Sequence, residues 1–313
     1  MKAEPDMHVR PRETDIFDAG LLRRRRDRAA RAIASADFLL ERSAGDIMDR
    51  LAAIKRSFAT AANLGAHHGL LSRRLRTQPG TSLVIDVDDA PAMLARCDGP
   101  RVGGGLEALP FGDARLDLVV SGLALQFAND LPGVLVQVRR ALRPDGLFIG
   151  SMLGGATLGE LRQALLEAES ETAGGASPRV APFADVRGLG TLMQRAQFAL
   201  PVVDADTVVV TYPDPLALMR DLRAMGATNV LSQRDRRFLR RDTLARACAI
   251  YAERFADAGG RVRATFEIIT LTGWAPHASQ QRPLAPGSAQ TRLADALARP
   301  PDAPARQVGK TGQ

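Results

Sequence analysis

Residues 116–150 read LDLVVSGLALQFANDLPGVLVQVRRALRPDGLFIG. Leu116 to Ser121 is a nearly continuous apolar run, the pattern of a strand buried on both faces. Leu131 to Leu142 reads as a helix, and Arg143-Pro144-Asp145-Gly146 stops it with a proline and a glycine. Gly146 to Met152 (GLFIGSM) then repeats the buried-strand pattern. Strand, helix and strand in so short a space predict a parallel pair joined by a crossover.

The same alternation continues outward in both directions. Upstream, Phe58 to Leu64 and Ser82 to Val87 (SLVIDV) read as strands. Leu70 to Arg76 and Pro91 to Arg96 read as helices, with a turn at Thr77-Gln78-Pro79-Gly80. Downstream, a helix is expected from Thr157 to Glu171, then a loop through the AGGASPRVAP segment. Strands follow at Asp206 to Tyr212 and Thr265 to Gly273, with helices between them at Pro215 to Met225 and Arg241 to Phe255. The fold class is therefore α/β, a mostly parallel sheet covered by helices on both faces.

Four segments are expected: a disordered lead-in over 1–14, an N-terminal helical segment over 15–57, the α/β domain over 58–282, and a flexible tail over 283–313 rich in Pro, Ala and Gly. Ile47, Leu51 and Ile54 mark one helical face in the second segment.

Composition limits the function classes. The 313 residues hold two cysteines, Cys97 and Cys248, and no C-x-x-C pair, so a disulfide framework is not expected. The four histidines (His8, His67, His68, His277) lack ligand spacing, and no metal site is expected. The chain shows neither a secretory signal nor a run of roughly 18 apolar residues, which points to the cytoplasm without a transmembrane segment. The net charge is +7, yet only three of the 42 basic residues are lysine, a bias that reads as a GC-rich genome more than as a phosphate-binding face. No specific nucleic-acid partner is expected. Arg23 to Arg26 and Arg234 to Arg241 read as solvated faces open to a partner or to peripheral membrane contact.

In a parallel sheet, ligands sit at the carboxyl ends of the strands. Three segments meet that condition. Asn63-Leu64-Gly65-Ala66-His67-His68-Gly69 carries two glycines at a strand-to-helix turn, where bare backbone can face a ligand. Asp86-Val87-Asp88-Asp89 ends the second strand: Asp88 is placed to accept both hydroxyls of a ribose, Asp86 lies inside the strand, and Asp89 caps the next helix. Glu107-Ala108-Leu109-Pro110-Phe111 precedes the 116–150 block.

The strings LPF, DLVVS, NDLP and RRALRPDGLF together resemble the central block of the class I S-adenosylmethionine-dependent methyltransferases. The closest likeness is to the branch that holds the mitochondrial complex I assembly factor 5 with its bacterial homologues and the malonyl-carrier-protein methyltransferases. Ile16-Phe17-Asp18 leading into Leu22-Arg23-Arg24-Arg25-Arg26-Asp27-Arg28, and Thr272-Gly273-Trp274-Ala275-Pro276-His277, favour the assembly factors within it. The resemblance implies a Rossmann-like seven-stranded sheet with an N-terminal helical extension, and S-adenosylmethionine as cofactor. It implies cofactor contacts from Asn63, Gly65, His67, Gly69, Asp88, Leu106, Glu107 and Ser121. It further implies a protein substrate, the complex I iron–sulfur subunit, methylated or hydroxylated at an arginine. The alternatives are an O-methyltransferase of a small molecule or carrier protein, and a non-catalytic assembly chaperone.

The chain departs from the family pattern at three positions: Asn63 stands for the usual acid, His67 for the middle glycine, and Gly105 for the third-strand acid, with Glu107 two residues on. Each lost bond to a charged group costs on the order of 1.5–3 kcal/mol, so cofactor binding is expected to be weakened ten- to a hundredfold. His67 has two readings, a base or sulfonium contact, or a polar side chain facing solvent at a helix start. Trp274 and His277 follow the last strand and are expected near the mouth of the site, with Tyr212, Arg220 and Arg223 as further substrate-side candidates.

Overall fold

The computed structural model describes residues 14–280, so the expected lead-in and tail lie outside the described residues, except for Thr14. Seven strands form one sheet: β1 (Thr60–Leu64), β2 (Leu83–Asp88), β3 (Arg101–Gly103), β4 (Leu116–Gly122), β5 (Leu142–Leu153), β6 (Ala199–Tyr212) and β7 (Val262–Trp274). Their order across the sheet is β3-β2-β1-β4-β5-β7-β6. β1 to β5 pair in parallel, whereas β7 runs antiparallel to both β5 and β6. The strand order reverses between β1 and β4, which leaves a crevice beyond their carboxyl ends.

Nine helices accompany the sheet among the described residues: α1 (Ala19–Ala29), α2 (Phe38–Ala52), α3 (Leu70–Leu75), α4 (Pro91–Leu94), α5 (Leu131–Ala141), α6 (Gly159–Ala173), α7 (Val186–Arg195), α8 (Pro215–Ala224) and α9 (Arg241–Phe255). Side-chain alternation along the strands divides the core. Val119 and Phe148 pack with Val134, Val138, Leu189 and Met193 of α5 and α7. Leu118, Val120 and Ile149 face the other way, onto Leu40, Ile47 and Leu71 of α2 and α3. Further along that second face, Phe266 and Ile268 of β7 pack with Leu161, Leu165, Ile250 and Tyr251 of α6 and α9. Residues paired across β5 and β7 share a face, so the two packing groups form one layer there. The expected sheet covered on both faces is present.

Local signals fix four of the nine helix starts among the described residues. The side chains of Asp18, Asp130, Asp185 and Asp214 accept a backbone N–H in the first turns of α1, α5, α7 and α8. The stop at Arg143-Pro144-Asp145-Gly146 does end α5, but by extending the chain. The tetrapeptide is a bulge within β5, because the partners jump from Leu142 opposite Leu116 to Leu147 opposite Leu118. β3 and α7 escaped the sequence reading. β3 is a three-residue edge strand ending in glycine, and α7 carries Gly188 and Gly190, which weaken a helical pattern. β6 and β7 extend well beyond the expected segments, since each supplies the other with a ladder.

Candidate functional site

The carboxyl ends of β1, β2 and β4 converge beneath α1. After β1, Gly65 turns the chain at φ +64°, and a Cβ there would lie 2.2 Å from the Ala124 Cβ, so the segment following β4 can approach only a glycine. At the end of β2, the fully enclosed Asp88 carboxylate is held by backbone donors on both sides: Ala90 N–H to Oδ1 at 2.8 Å and His67 N–H to Oδ2 at 2.9 Å.

A third partner arrives from α1. Arg26 Nη2 donates to Asp88 Oδ2 at 2.7 Å, and Arg26 Nη1 reaches Asp89 Oδ1 at 3.2 Å. The Arg26 side chain is 9% exposed and that of Asp88 0%. Burial alone would lower the Arg26 pKa, but the Asp88 and Asp89 carboxylates outweigh it and hold the guanidinium above the ordinary arginine value. This ion pair ties α1 to the strand end. Asp89 is therefore no helix cap: α4 starts after Ala90 without a side-chain cap, and the Asp89 carboxylate serves Arg26, its own pKa raised by burial.

His67 does not face solvent. Its Nδ1 stands 3.2 Å from Arg26 Nη2 and its Nε2 3.0 Å from the Gly122 carbonyl. The carbonyl can only accept, which puts the proton on Nε2 and leaves Nδ1 to accept from Arg26. Burial, then the Arg26 cation, lower the imidazole pKa to about 4, so His67 is neutral at physiological pH.

Arg26, His67, Gly65, Asp88, Leu106 and Ala124 help to line a cavity of about 150 Å³. Arg26, His67 and Phe127 also border a second cavity of about 70 Å³, walled by Ile33, Leu39, Leu40 and Leu123. Arg26 and His67 thus partition two hollows. Gln126 also borders the second one, its amide N–H₂ held by the Leu123 carbonyl while its Oε1 is buried without a partner.

The sequence-derived candidates separate accordingly. Gly65, His67, Asp88, Leu106 and Glu107 meet at the first cavity. The Glu107 carboxylate, however, accepts from the Asn129 and Asp130 N–H groups, which anchors the start of α5. Asn63 turns into the sheet, donating to Ser72 and Asp86, and Ser121 donates to the Leu64 carbonyl. Gly69 starts α3 at φ +78° and packs against Cys97. These three do not border the cavity.

None of the five substrate-side candidates borders either hollow. Trp274 and His277 were expected at the mouth because they follow the last strand. Trp274 pairs with Leu147, the first residue of β5 after its bulge, so it lies towards the amino-terminal edge of the parallel strands, across the sheet from Asp88. The cause is the antiparallel direction of β7. There Trp274 packs beside Phe58 with the Arg56 guanidinium over its ring. Tyr212 is buried among the α8 and α9 side chains, and Arg220 and Arg223 line a different groove.

Arg26 was missed as a site residue. The run Arg23 to Arg26 reads as a charged face, yet Leu22, Arg26 and Ala29 are the buried positions of α1, spaced four and three apart. That spacing was visible in the sequence and would have placed one arginine in the apolar stripe.

A methyltransferase-domain family model matches residues 62–150. The human mitochondrial arginine-hydroxylase NDUFAF5 is 40% identical over 285 residues, covering 89% of this chain and 82% of its own length. The malonyl-[acyl-carrier protein] O-methyltransferase of Halorhodospira halophila is 34% identical over 282 residues, covering 88% of this chain and 94% of its own. Among solved structures, the Bacillus subtilis YcgJ protein superposes with a TM-score of 0.53 at 15% identity, over 76% of this chain and 99% of that one, a likeness of fold alone.

Proposed function

This chain belongs to the methyltransferase-fold family that contains the NDUFAF5 arginine hydroxylases and the malonyl-carrier-protein O-methyltransferases, and from that membership we propose that it binds S-adenosylmethionine and modifies an arginine of a protein substrate, the iron–sulfur subunit of respiratory complex I, during assembly. The observation that carries the proposal is the convergence of Gly65, Asp88 and Leu106 on one cavity at the reversal of strand order. A buried carboxylate, a turn too tight for a Cβ and an apolar wall fit the ribose and base of a nucleoside.

In this reading Asp88 receives the ribose hydroxyls, Leu106 packs against the base, and Gly65 lets the backbone approach the ligand. The bound cofactor supplies a sulfonium-activated group. A neutral His67 at the cavity wall would not repel that positive charge, as an imidazolium would. Arg26 and the ribose compete for the same carboxylate, so ligand entry is coupled to release of α1 from Asp88. That exchange, together with His67 and Gly105 in the altered motifs, supports weakened cofactor binding. The hollow beyond Arg26 and His67 is the place for an acceptor side chain. We further propose a cytoplasmic location; no helix among the described residues is long and apolar enough to cross a membrane.

Titration calorimetry with S-adenosylmethionine tests the cofactor. Heat is expected for the wild type and none for Asp88→Asn, and mass spectrometry of the iron–sulfur subunit from a deletion strain should show an arginine that has lost a methyl group or one oxygen atom. The Arg26–Asp88 pair also motivates a second reading, a non-catalytic chaperone. No heat at millimolar cofactor, with an unmodified subunit in wild-type cells, would establish it.

A further inference from the structure

A groove of about 720 Å³ lies between α1 and α8, on the side of α1 turned away from Asp88. Leu21, Arg25 and Arg28 of α1 line one wall at helical spacing, Arg220 and Arg223 of α8 the other, and Phe238, 100% exposed, stands at its edge. Several surface arginines are neutralised in pairs, among them Arg42 with Asp206, Arg50 with Asp204, and Arg246 with Glu171. What sets the groove apart is that four arginines line one hollow. Among the described residues Arg25, Arg28 and Arg223 make no ion pair, while Arg220 makes a long one with the half-exposed Asp214 at 3.9 Å. The Arg25 guanidinium donates to the Asn229 carbonyl, and its pKa is lowered by burial and then by the neighbouring Arg234 and Arg28 cations, which outweigh the Asp18 carboxylate.

We infer that this groove docks an acidic, extended segment of the protein substrate. The proposal rests on the reading that the substrate is a protein, and it adds where that protein is held. Guanidinium groups match carboxylates in a bidentate fork, and four of them facing one hollow complement a run of acids. The eleven residues of α1 span about 16 Å, enough for roughly five extended residues. Leu21 and Phe238 offer apolar contact between the charges. A single exposed aromatic is a poor stacking platform for successive bases, and a concave groove is a poor match to a lipid surface. A segment lying there is one helix diameter, about 10 Å, from the Arg26–His67 partition, so the adjoining residues of the same substrate reach the cavities.

The test uses the full chain without cofactor and a fluorescein-labelled octapeptide of alternating glutamate and leucine, read by fluorescence anisotropy. Binding is expected at low salt and should weaken about tenfold between 50 and 200 mM salt, as charge pairing requires. The Arg25→Glu/Arg223→Glu double variant should bind at least tenfold more weakly, with an unchanged circular dichroism spectrum. Equal binding of the glutamine-for-glutamate peptide, or undiminished binding by the folded double variant, would overturn the proposal. So would tenfold tighter binding of an eight-nucleotide uridine RNA, or binding to phosphatidylserine vesicles with none to the peptide. If the double variant unfolds, Arg25→Gln and Arg223→Gln singly must each weaken the peptide for the proposal to stand. Calorimetry with S-adenosylmethionine reports on the other site separately, so loss of one binding activity is not mistaken for loss of the other.

Discussion

Replacing Arg26 by methionine removes a buried cation while keeping most of the side-chain stem. The guanidinium pairs with a carboxylate of zero exposure at 2.7 Å and also reaches Asp89 and the His67 ring, each at 3.2 Å. Breaking one half of a buried pair costs about 3–5 kcal/mol, because the remaining charge stays desolvated. Asp88 keeps its two backbone donors, His67 N–H and Ala90 N–H, so the lower end applies, about 3 kcal/mol. Against a total of about 5–15 kcal/mol that loss is large. Urea unfolding at pH 7.5, followed by circular dichroism, should show a lower midpoint at an unchanged slope. The Arg26→Met/Asp88→Asn double variant should recover most of the loss, since no charge is left unpaired, giving a coupling of about 2 kcal/mol. A second readout follows from the same geometry: in Arg26→Met the His67 pKa, followed by NMR, should rise from about 4 because its cationic neighbour is gone. A destabilisation below about 1 kcal/mol, or additive single-variant losses, would refute the claim that this pair fastens α1 to the sheet.

His67 makes stability pH-dependent with a definite sign: its folded pKa of about 4 lies below the ordinary 6.5, so the native state excludes the proton. Its contribution is complete above pH 6.5 and is lost as the pH falls towards 4, by about 3 kcal/mol in all, and His67→Gln should flatten that part of a urea-midpoint profile. Gly65→Ala places a Cβ 2.2 Å from the Ala124 Cβ at φ +64°, and should lower stability by more than the roughly 1–2 kcal/mol of left-handed backbone strain. Trp274→Ala should cost about 3 kcal/mol by thermal unfolding through lost packing on Phe58, while the heat of S-adenosylmethionine binding stays unchanged, since the residue lies at the opposite edge of the sheet.

The legible parts of the fold were those whose signal is local. β2, β4, α5 and α9 were readable because buried strands and amphipathic helices impose periods on the residues that form them. β3 and α7 were not, since a three-residue edge strand and a helix with two glycines leave little pattern. At the cavity, Gly65 and Asp88 were legible because turn chemistry and strand ends announce themselves, whereas Leu106 came only from the family resemblance. Asn63, two residues before Gly65, and Ser121 near the end of β4 turn their side chains into hydrogen bonds within the sheet and its flanking helix, and Gly69 packs on Cys97, all matters of direction and contact that strand periodicity alone does not settle.

The sequence by itself determined the α/β layering, the strand-end carboxylate and the glycine bend, each of which is encoded within a few residues. Only the tertiary structure decided that Arg26 meets the Asp88 carboxylate, that His67 is enclosed and neutral, and that Trp274 lies far from the cavity. Those outcomes depend on the crossing of α1 over β2 and on the reversed direction of β7. Both are set by long-range packing and strand pairing, to which no short stretch of residues is by itself sensitive.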